Sequence, residues 1–370
     1  MFHLFPLLPW LVVVLRFLMP LQWLPVAKVV IALVLLISSQ QLLINRLSSG
    51  SVFSPEYPRP LIILLNLLFG FTVLVAVFQI AADLLILVMR LVSHDPVISP
   101  ILLRYSVGTL AFALAVYGVG QAIRVPPLKE IEVKIADLPK GFEGYRILQL
   151  TDLHISRLFP ARWAEAVVRQ SNDLKTDLTV ITGDFIDGGT EARRADIAPL
   201  AGLRATDGVY AIPGNHEYIF DYDAWMKHDA GLGIRMLLNE HVTIEREGDT
   251  LVLAGLTDLA ARNTTFPRPD LARALQGAPE APVILLEHQP GMAKRSAKSG
   301  VALQLSGHTH GGMVIGLDRL VARANDGFVS GMYQVGNMKL YVNNGTALWP
   351  GFAIRLGRPS ELTVFTLRGE

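Results

Sequence analysis

The sequence predicts two parts, a membrane-embedded helical region over residues 1–123 and an α/β domain over residues 124–370. Three observations carry that prediction. The 370 residues are 51% apolar, with a mean hydropathy of +0.39, too apolar and too long for a single soluble domain. Met1–Ile123 holds only nine of the 33 basic and 32 acidic residues, so the two parts face different solvents. Beyond Leu128, short β-rich apolar runs alternate with helical patterns, the order expected of an α/β domain with at least one mixed sheet. A formal net charge of +1 excludes the basic balance of a dedicated nucleic-acid binder, and no nucleic-acid partner is expected. The lack of cysteine excludes disulfides, thiolate zinc sites, iron–sulfur clusters and cysteine nucleophiles.

About four transmembrane helices are expected, near residues 1–20, 26–45, 61–82 and 102–123. Met1–Pro20 is interrupted by Arg16, Pro6 and Pro9, and suits a kinked or interfacial helix as well as a span. It lacks the basic start of a cleaved signal peptide, and further apolar spans follow at once. Val26–Asn45 comes next, after a short turn. Leu61–Ala82 runs 22 residues without a charge, enough to cross the hydrocarbon at roughly 1.5 Å per residue. In Leu102–Ile123 the one charge, Arg104, lies near the first turn, where it can snorkel. Asn66, Gln79 and Asp83 read as packing groups rather than a transport path. With four spans, Arg46, Arg59, Arg124 and Lys129 outnumber Lys28, Arg90 and Arg104 across the bilayer. The expectation is a multi-pass protein of the cell membrane with a cytoplasmic C-terminal domain.

The α/β domain opens with Leu128-Lys129-Glu130-Ile131-Glu132-Val133-Lys134-Ile135, whose period of two marks a half-exposed strand. After a turn over Pro139–Gly144, further strands are expected at Ile147–Leu150, Leu178–Thr182, Val209–Ile212, Leu251–Ala254, Val283–Leu286, Leu303–Leu305, Lys339–Val342 and Leu362–Leu367. Helices are expected at Ala161–Lys175 and Glu191–Leu203.

Five of these strands lead into polar clusters: Asp152-Leu153-His154, Gly183-Asp184-Phe185-Ile186-Asp187, Gly214-Asn215-His216-Glu217, His288, and Gly307-His308-Thr309-His310. Five of the seven histidines in the α/β part fall within them, which a set of isolated structural histidines would not produce. An Asp-x-His on an extended chain places both side chains on one side, able to chelate a cation. His308 and His310 share that spacing. Asp184 is assigned as a carboxylate bridging two cations roughly 3.5–4 Å apart, and Asn215 as a neutral oxygen ligand. The glycines before Asp184, Asn215 and His308 are expected to turn the chain sharply out of the sheet. Asp187 is expected to order its Gly188-Gly189 loop or support a ligand histidine, and Glu217 to cap a helix. Asp258 reads as a turn residue, His228 and His241 as surface or packing groups, and Trp349–Phe352 as a packed turn.

These blocks, D-x-H, G-D-x-x-D, G-N-H-[DE], a lone His and G-H-x-H in order, resemble the calcineurin-like metallophosphoesterase superfamily. The likeness covers roughly Leu128–Glu370, and Arg146–His154 with Gly307–Gly312 is most similar to its bacterial membrane-associated branch, the YkuE and YaeI phosphoesterases. The resemblance implies a four-layer α/β/β/α sandwich with a dinuclear metal centre. One metal would take Asp152, His154, Asp184 and His310, and the other Asp184, Asn215, His288 and His308. His216 would stay free of metal as the catalytic group facing the departing ester oxygen. Met313 stands where many members of the branch carry Gln, which leaves the ligand set intact.

The function expected is a membrane-anchored metallophosphoesterase that hydrolyses a phosphomonoester or phosphodiester by attack of a hydroxide held between two divalent ions. Oxygen and nitrogen ligands suit Mn, Fe or Zn, with Mn preferred. The short link from Ile123 to Leu128 favours a substrate at the bilayer, on a lipid or an envelope precursor. The rival is a non-catalytic membrane scaffold or receptor with a retained metal domain. A decayed site would have lost a ligand or His216, and none is missing. The oligomeric state is left open by the sequence.

Overall fold

The computed structural model describes residues 5–93 and 99–370. It separates into two compact units, Met1–Ala122 with Pro350–Leu356, and Ile123–Trp349 with Gly357–Glu370.

In the helical unit, Arg59–Ser93 and Pro100–Ile123 form single helices. Pro25–Ser39 and Gln41–Ser49 form a pair bent by 53°. Among the described residues, two helices are long and apolar enough to cross a membrane, or three if the bent pair is one span. The expected four spans are thus corrected. Residues 1–4 of the first expected span lie outside the described residues, and the rest of it forms only the short helix Leu7–Leu18. Twelve residues reach about 18 Å at 1.5 Å each, well short of a hydrocarbon core of about 30 Å. Asp83 does not end the third span either, because Arg16 Nε pairs with it at 2.9 Å and Gln79 Nε2 donates to it at 2.9 Å. With its charge matched, the helix continues to Ser93.

Pro350–Leu356 packs among these helices. Gln41 Nε2 donates to Gly351 O at 2.6 Å, and Asn66 Nδ2 to Pro350 O at 2.9 Å. Asn66 Oδ1 accepts from Ala353 N at 2.7 Å, and Gly118 O from Arg355 N at 2.9 Å. Phe352 meets Phe69 edge to face at 5.6 Å. A Cβ on Gly118 would lie 2.6 Å from Ile354, so glycine permits this approach. Asn66 is therefore the packing group expected, and Asn66→Leu should leave a buried carbonyl and a buried N–H unpaired at about 1–3 kcal/mol each. Thermal unfolding of the full chain in detergent measures this. An unchanged midpoint would mean that Asn66 does not hold the segment.

The second unit holds twelve strands: β1 Leu128–Ile135, β2 Arg146–Leu150, β3 Leu178–Thr182, β4 Val209–Ile212, β5 Arg235–Met236, β6 Glu240–Arg246, β7 Asp249–Gly255, β8 Val283–Leu286, β9 Val301–Ser306, β10 Gly331–Val335, β11 Met338–Val342 and β12 Leu362–Gly369. They form two six-stranded sheets, ordered β1-β12-β2-β3-β4-β5 and β10-β11-β9-β8-β7-β6. The inner strands run parallel, β2 with β3 and β4 in the first sheet, and β7, β8, β9 and β11 in the second. β12 enters the first sheet antiparallel to β2 and parallel to β1.

One core joins the sheets, with Ile147, Val180 and Ile212 of the first packed with Leu253, Ile284, Leu305 and Tyr341 of the second. Behind the second sheet, Val252, Leu285 and Leu340 pack with Leu271, Ala274 and Ala293 from short helices. Every β3 residue is buried, as a strand covered on both faces requires. The helix expected at Glu191–Leu203 is α-helical only over Thr190–Ile197 and then tightens to a 3-10 turn at Ala198–Gly202, where Pro199 has no N–H for the ladder. Because β2, β3, β4, β8 and β9 are parallel within their sheets, the loops leaving their carboxyl ends carry all five polar clusters.

Candidate metal centre

β2 ends at Leu150, and the chain then curls rather than alternating. Asp152 and His154 have φ of 51° and 41°, Asp184 has 55°, and His308 and His310 have 69° and 51°. Five candidate ligands thus occupy the left-handed region that non-glycine residues rarely adopt, at a cost of about 1–3 kcal/mol each. The extended-chain chelate expected for Asp-x-His is therefore corrected: the pairs converge through turns. Backbone bonds enforce them, with Asp152 N donating to Gly183 O at 2.9 Å and His154 N to Asp184 O at 3.1 Å.

The glycines divide in role. Gly183 has φ 92° and makes the turn expected of it. Gly214 is extended, with φ −101° and ψ −167°. It is glycine because a Cβ there would overlap the Asp184 carboxylate, and one on Gly307 would overlap Thr151 and Asp152.

The side chains meet in three overlapping groups, one of which joins His154, Asp184 and His216. Asp152, His154 and His310 bring one ligand atom each within 4.8 Å of one another, and Asp184, His288 and His308 do the same. Asp184 Oδ2 lies 3.3 Å from His288 Nε2 and 3.8 Å from His154 Nε2, so its carboxylate stands between the groups. Asn215 Oδ1 is 3.2 Å from His288 Nε2. His216 is also close, with Nε2 4.0 Å from Asp184 Oδ2, but its Nδ1 is held by Asp187 Oδ1 at 2.5 Å.

The donor set fits cations. His288 Nδ1 lies 2.7 Å from the Thr182 carbonyl, and His154 Nδ1 3.2 Å from Asp187 Oδ2. The carbonyl can take the His288 Nδ1 proton and the carboxylate lies beside His154 Nδ1, so each ring in its neutral form would turn Nε2 toward a cation. His154 Nε2 and His310 Nε2 converge at 3.2 Å, a separation that one N–H···N bond satisfies and at which both nitrogens could also ligate a shared cation.

Electrostatics sort the groups further. Burial works against charge on Asp184, yet the His288, His216 and His154 imidazoles hold its carboxyl well below the usual range. Burial likewise opposes a charged His216, but Asp184 and Asp187 outweigh it and push the imidazole up to about 9. Burial and the His288 charge bring His308 down to about 3, the neutral form in which imidazole ligates. Burial with the Asp184 charge pushes Glu217 up to about 8.

Both acidic neighbours do what the sequence suggested and more. Glu217 accepts from Gly214 N at 2.6 Å, capping its helix, and also from Asp184 N at 3.1 Å and Phe185 N at 2.8 Å, which pins the Asp184 turn. Asp187 supports two imidazoles, His154 and His216. As a positioning residue, Asp187→Asn should lower metal affinity or turnover by about 10–100-fold. Titration of metal content alongside kcat checks this, and wild-type values for both would show that neither ring depends on it.

Asp258 is a turn residue, accepting from Ala260 N at 2.7 Å and from Gln289 Nε2 at 2.8 Å. His228 and His241 lie elsewhere, beside Trp225 and the Ala274 carbonyl. The motif pattern gives no hint of Asn343–Ala347. There Thr346 N donates to Thr151 O at 2.8 Å and Ala347 N to Asp152 O at 3.0 Å, with Gly345 close against His310. Its Asn-Gly pair after β11 reads as an ordinary turn.

Residues 145–312 match the family model of the calcineurin-like phosphoesterases. A bovine (Bos taurus) protein described as a transmembrane protein with metallophosphoesterase domain is 36% identical over 69% of this chain and 60% of its own length. The chain thus spans about 60% of the length of the vertebrate relatives it matches. A metallophosphoesterase of Campylobacter jejuni is 31% identical over 73% of this chain and 71% of its own. YkuE of Bacillus subtilis, also described as a metallophosphoesterase, is 34% identical over 65% and 84%. Convergent ligand groups at the carboxyl ends of the parallel strands and these relatives leave one assignment: the chain belongs to the calcineurin-like phosphoesterase family, in the branch that includes the bacterial relatives.

Proposed function

We propose that the chain is a membrane-anchored hydrolase of phosphomonoesters or phosphodiesters that acts on a substrate carried at the bilayer, a lipid or an envelope precursor. The observation that carries the chemistry is the convergence of the ligand groups at Asp184, with the His216 ring, itself within reach of His154 and Asp184, oriented by Asp187 at its Nδ1. Asp152, His154, Asp184 and His310 would hold one cation, and Asp184, Asn215, His288 and His308 the other, with manganese preferred. Two such cations, when bound, lower the pKa of water between them and offset charge on the phosphoryl oxygens. The chain's own residues do the rest. Asp184 keeps the two sites adjacent, Asp187 orients His216, and His216 Nε2 offers a proton to the departing ester oxygen.

Residues 124–370 are proposed as the catalytic domain in a four-layer sandwich, on the cytoplasmic face of a multi-pass protein. The apolar helices and the relatives described as transmembrane proteins support anchoring, and the short link Ile123–Leu128 supports a substrate near the surface. Purified full-length protein should hydrolyse nitrophenyl phosphoesters with added Mn(II) and stop with a chelator. No turnover with Mn, Fe or Zn would favour the scaffold reading. A panel of lipid-borne against soluble esters tests the substrate class, and protease accessibility in intact cells tests the side.

A further inference from the structure

Large apolar side chains exposed by 40% or more are sparse on the α/β unit. Among the described residues they are Leu128, Ile219, Ile315, Leu317, Leu320 and Met332. Three of the six fall within six consecutive residues, at 68% for Ile315, 40% for Leu317 and 59% for Leu320, so they form a patch and not scattered surface. The patch follows the ligand turn directly, since His310–Gly312 leads through Met313 and Val314 into it with no spacer.

Its local structure is fixed. Asp318 Oδ1 accepts from Gly316 N at 2.9 Å and Arg319 N at 3.0 Å, starting the helix Asp318–Ala324. Leu317 and Leu320 are three apart and share one face of this turn, while Arg319 and Arg323, four apart, share another. Arg358 neutralises Asp318 at 2.6 Å. Arg319 and Arg323 are exposed and make no ion pair among the described residues, so the patch carries surplus positive charge beside its apolar groups.

Chain continuity links the patch to the apolar helices. Val314 bridges Gly357, and a Cβ on Gly357 would overlap Ile315. Gly357 is the residue after Leu356, the last of the segment packed among the apolar helices. One covalent step of about 3.8 Å therefore links Gly357, the bridge partner of Val314, to the segment that packs among the apolar helices.

We propose that Val314–Ala324 is a lipid-docking element: Ile315, Leu317 and Leu320 enter the bilayer interface, and Arg319 and Arg323 meet the phosphates of anionic headgroups. This rests on the membrane-anchored reading and deepens it. The element seats the limb bearing His308 and His310 at the headgroup layer, so the substrate class is a phosphoester on a lipid that is turned over without leaving the surface.

The lack of cysteine makes the test direct. Ile315→Cys, Leu320→Cys and, as a control, the exposed Glu280→Cys are each labelled with an environment-sensitive fluorophore. The full chain is placed in vesicles of phosphatidylcholine and phosphatidylglycerol containing lipids brominated near the headgroup. Labels at 315 and 320 should show blue-shifted, quenched emission and the label at 280 neither, with the quenching reduced by Arg319→Gln with Arg323→Gln or by omitting phosphatidylglycerol. Unquenched labels at 315 and 320, or equal quenching at 280, would overturn the proposal. Quenching that ignores charge would refute the arginine part. These readouts do not depend on turnover, so an inactive protein would sink the phosphoesterase reading while leaving docking tested. In active protein, Ile315→Ser with Leu320→Ser should lose turnover of a lipid-borne ester and keep that of a soluble nitrophenyl ester. Equal effects on both would sever docking from substrate choice.

Discussion

His216→Ala is expected to lower kcat by roughly 10²–10⁴-fold, the contribution of a positioned general acid, while both cations stay bound and the fold is unchanged. The ring stands 4.0 Å from the Asp184 carboxylate, close enough to face the reaction, with Nδ1 committed to Asp187. The loss should depend on the leaving group. Esters of nitrophenol, which depart without help, should be affected least, and esters of alkyl alcohols most. A uniform loss across leaving groups of different pKa would reassign His216 to orienting the phosphoryl group. Loss of a cation would make it a ligand, an outcome its proximity to His154 and Asp184 gives a clear signature.

Asp184→Asn should abolish turnover by weakening both cation sites together. The carboxylate lies between the two ligand groups, and its Oδ1 also accepts from His216 N at 2.8 Å. An amide keeps the size and loses the charge that would offset two divalent ions. His154→Ala should instead deplete mainly one site. Elemental analysis separates these, and two tightly held ions in Asp184→Asn would refute the bridging role.

Much of this was legible in the sequence, for definite reasons. Strands buried in the sheets announce themselves by β-branched runs such as Leu178–Thr182, and glycine-linked polar clusters mark their exits. β5 is two residues long and β10 lies on an edge with alternate residues half-exposed or exposed, so neither gives an apolar run. The N-terminal stretch misleads because apolar composition does not measure uninterrupted helix, and its arginine is matched by Asp83 in a distant segment. At the centre, residue types identified the ligands but not their backbone. Left-handed φ at Asp152 or His308 is imposed by hydrogen bonds from other loops, which no local pattern encodes. Asn343–Ala347 escaped notice because it acts through backbone groups.

The stitching of Pro350–Leu356 among the helices bears on how this chain can be taken apart. A fragment beginning at residue 124 would carry Phe352, Ile354 and Leu356 with their helical partners gone, and would leave the backbone groups served by Asn66, Gln41 and Gly118 to water. That strip would invite self-association. The helical unit is thus no interchangeable leash, and grafting the α/β unit onto foreign helices should yield a sticky protein unless the strip is replaced as well.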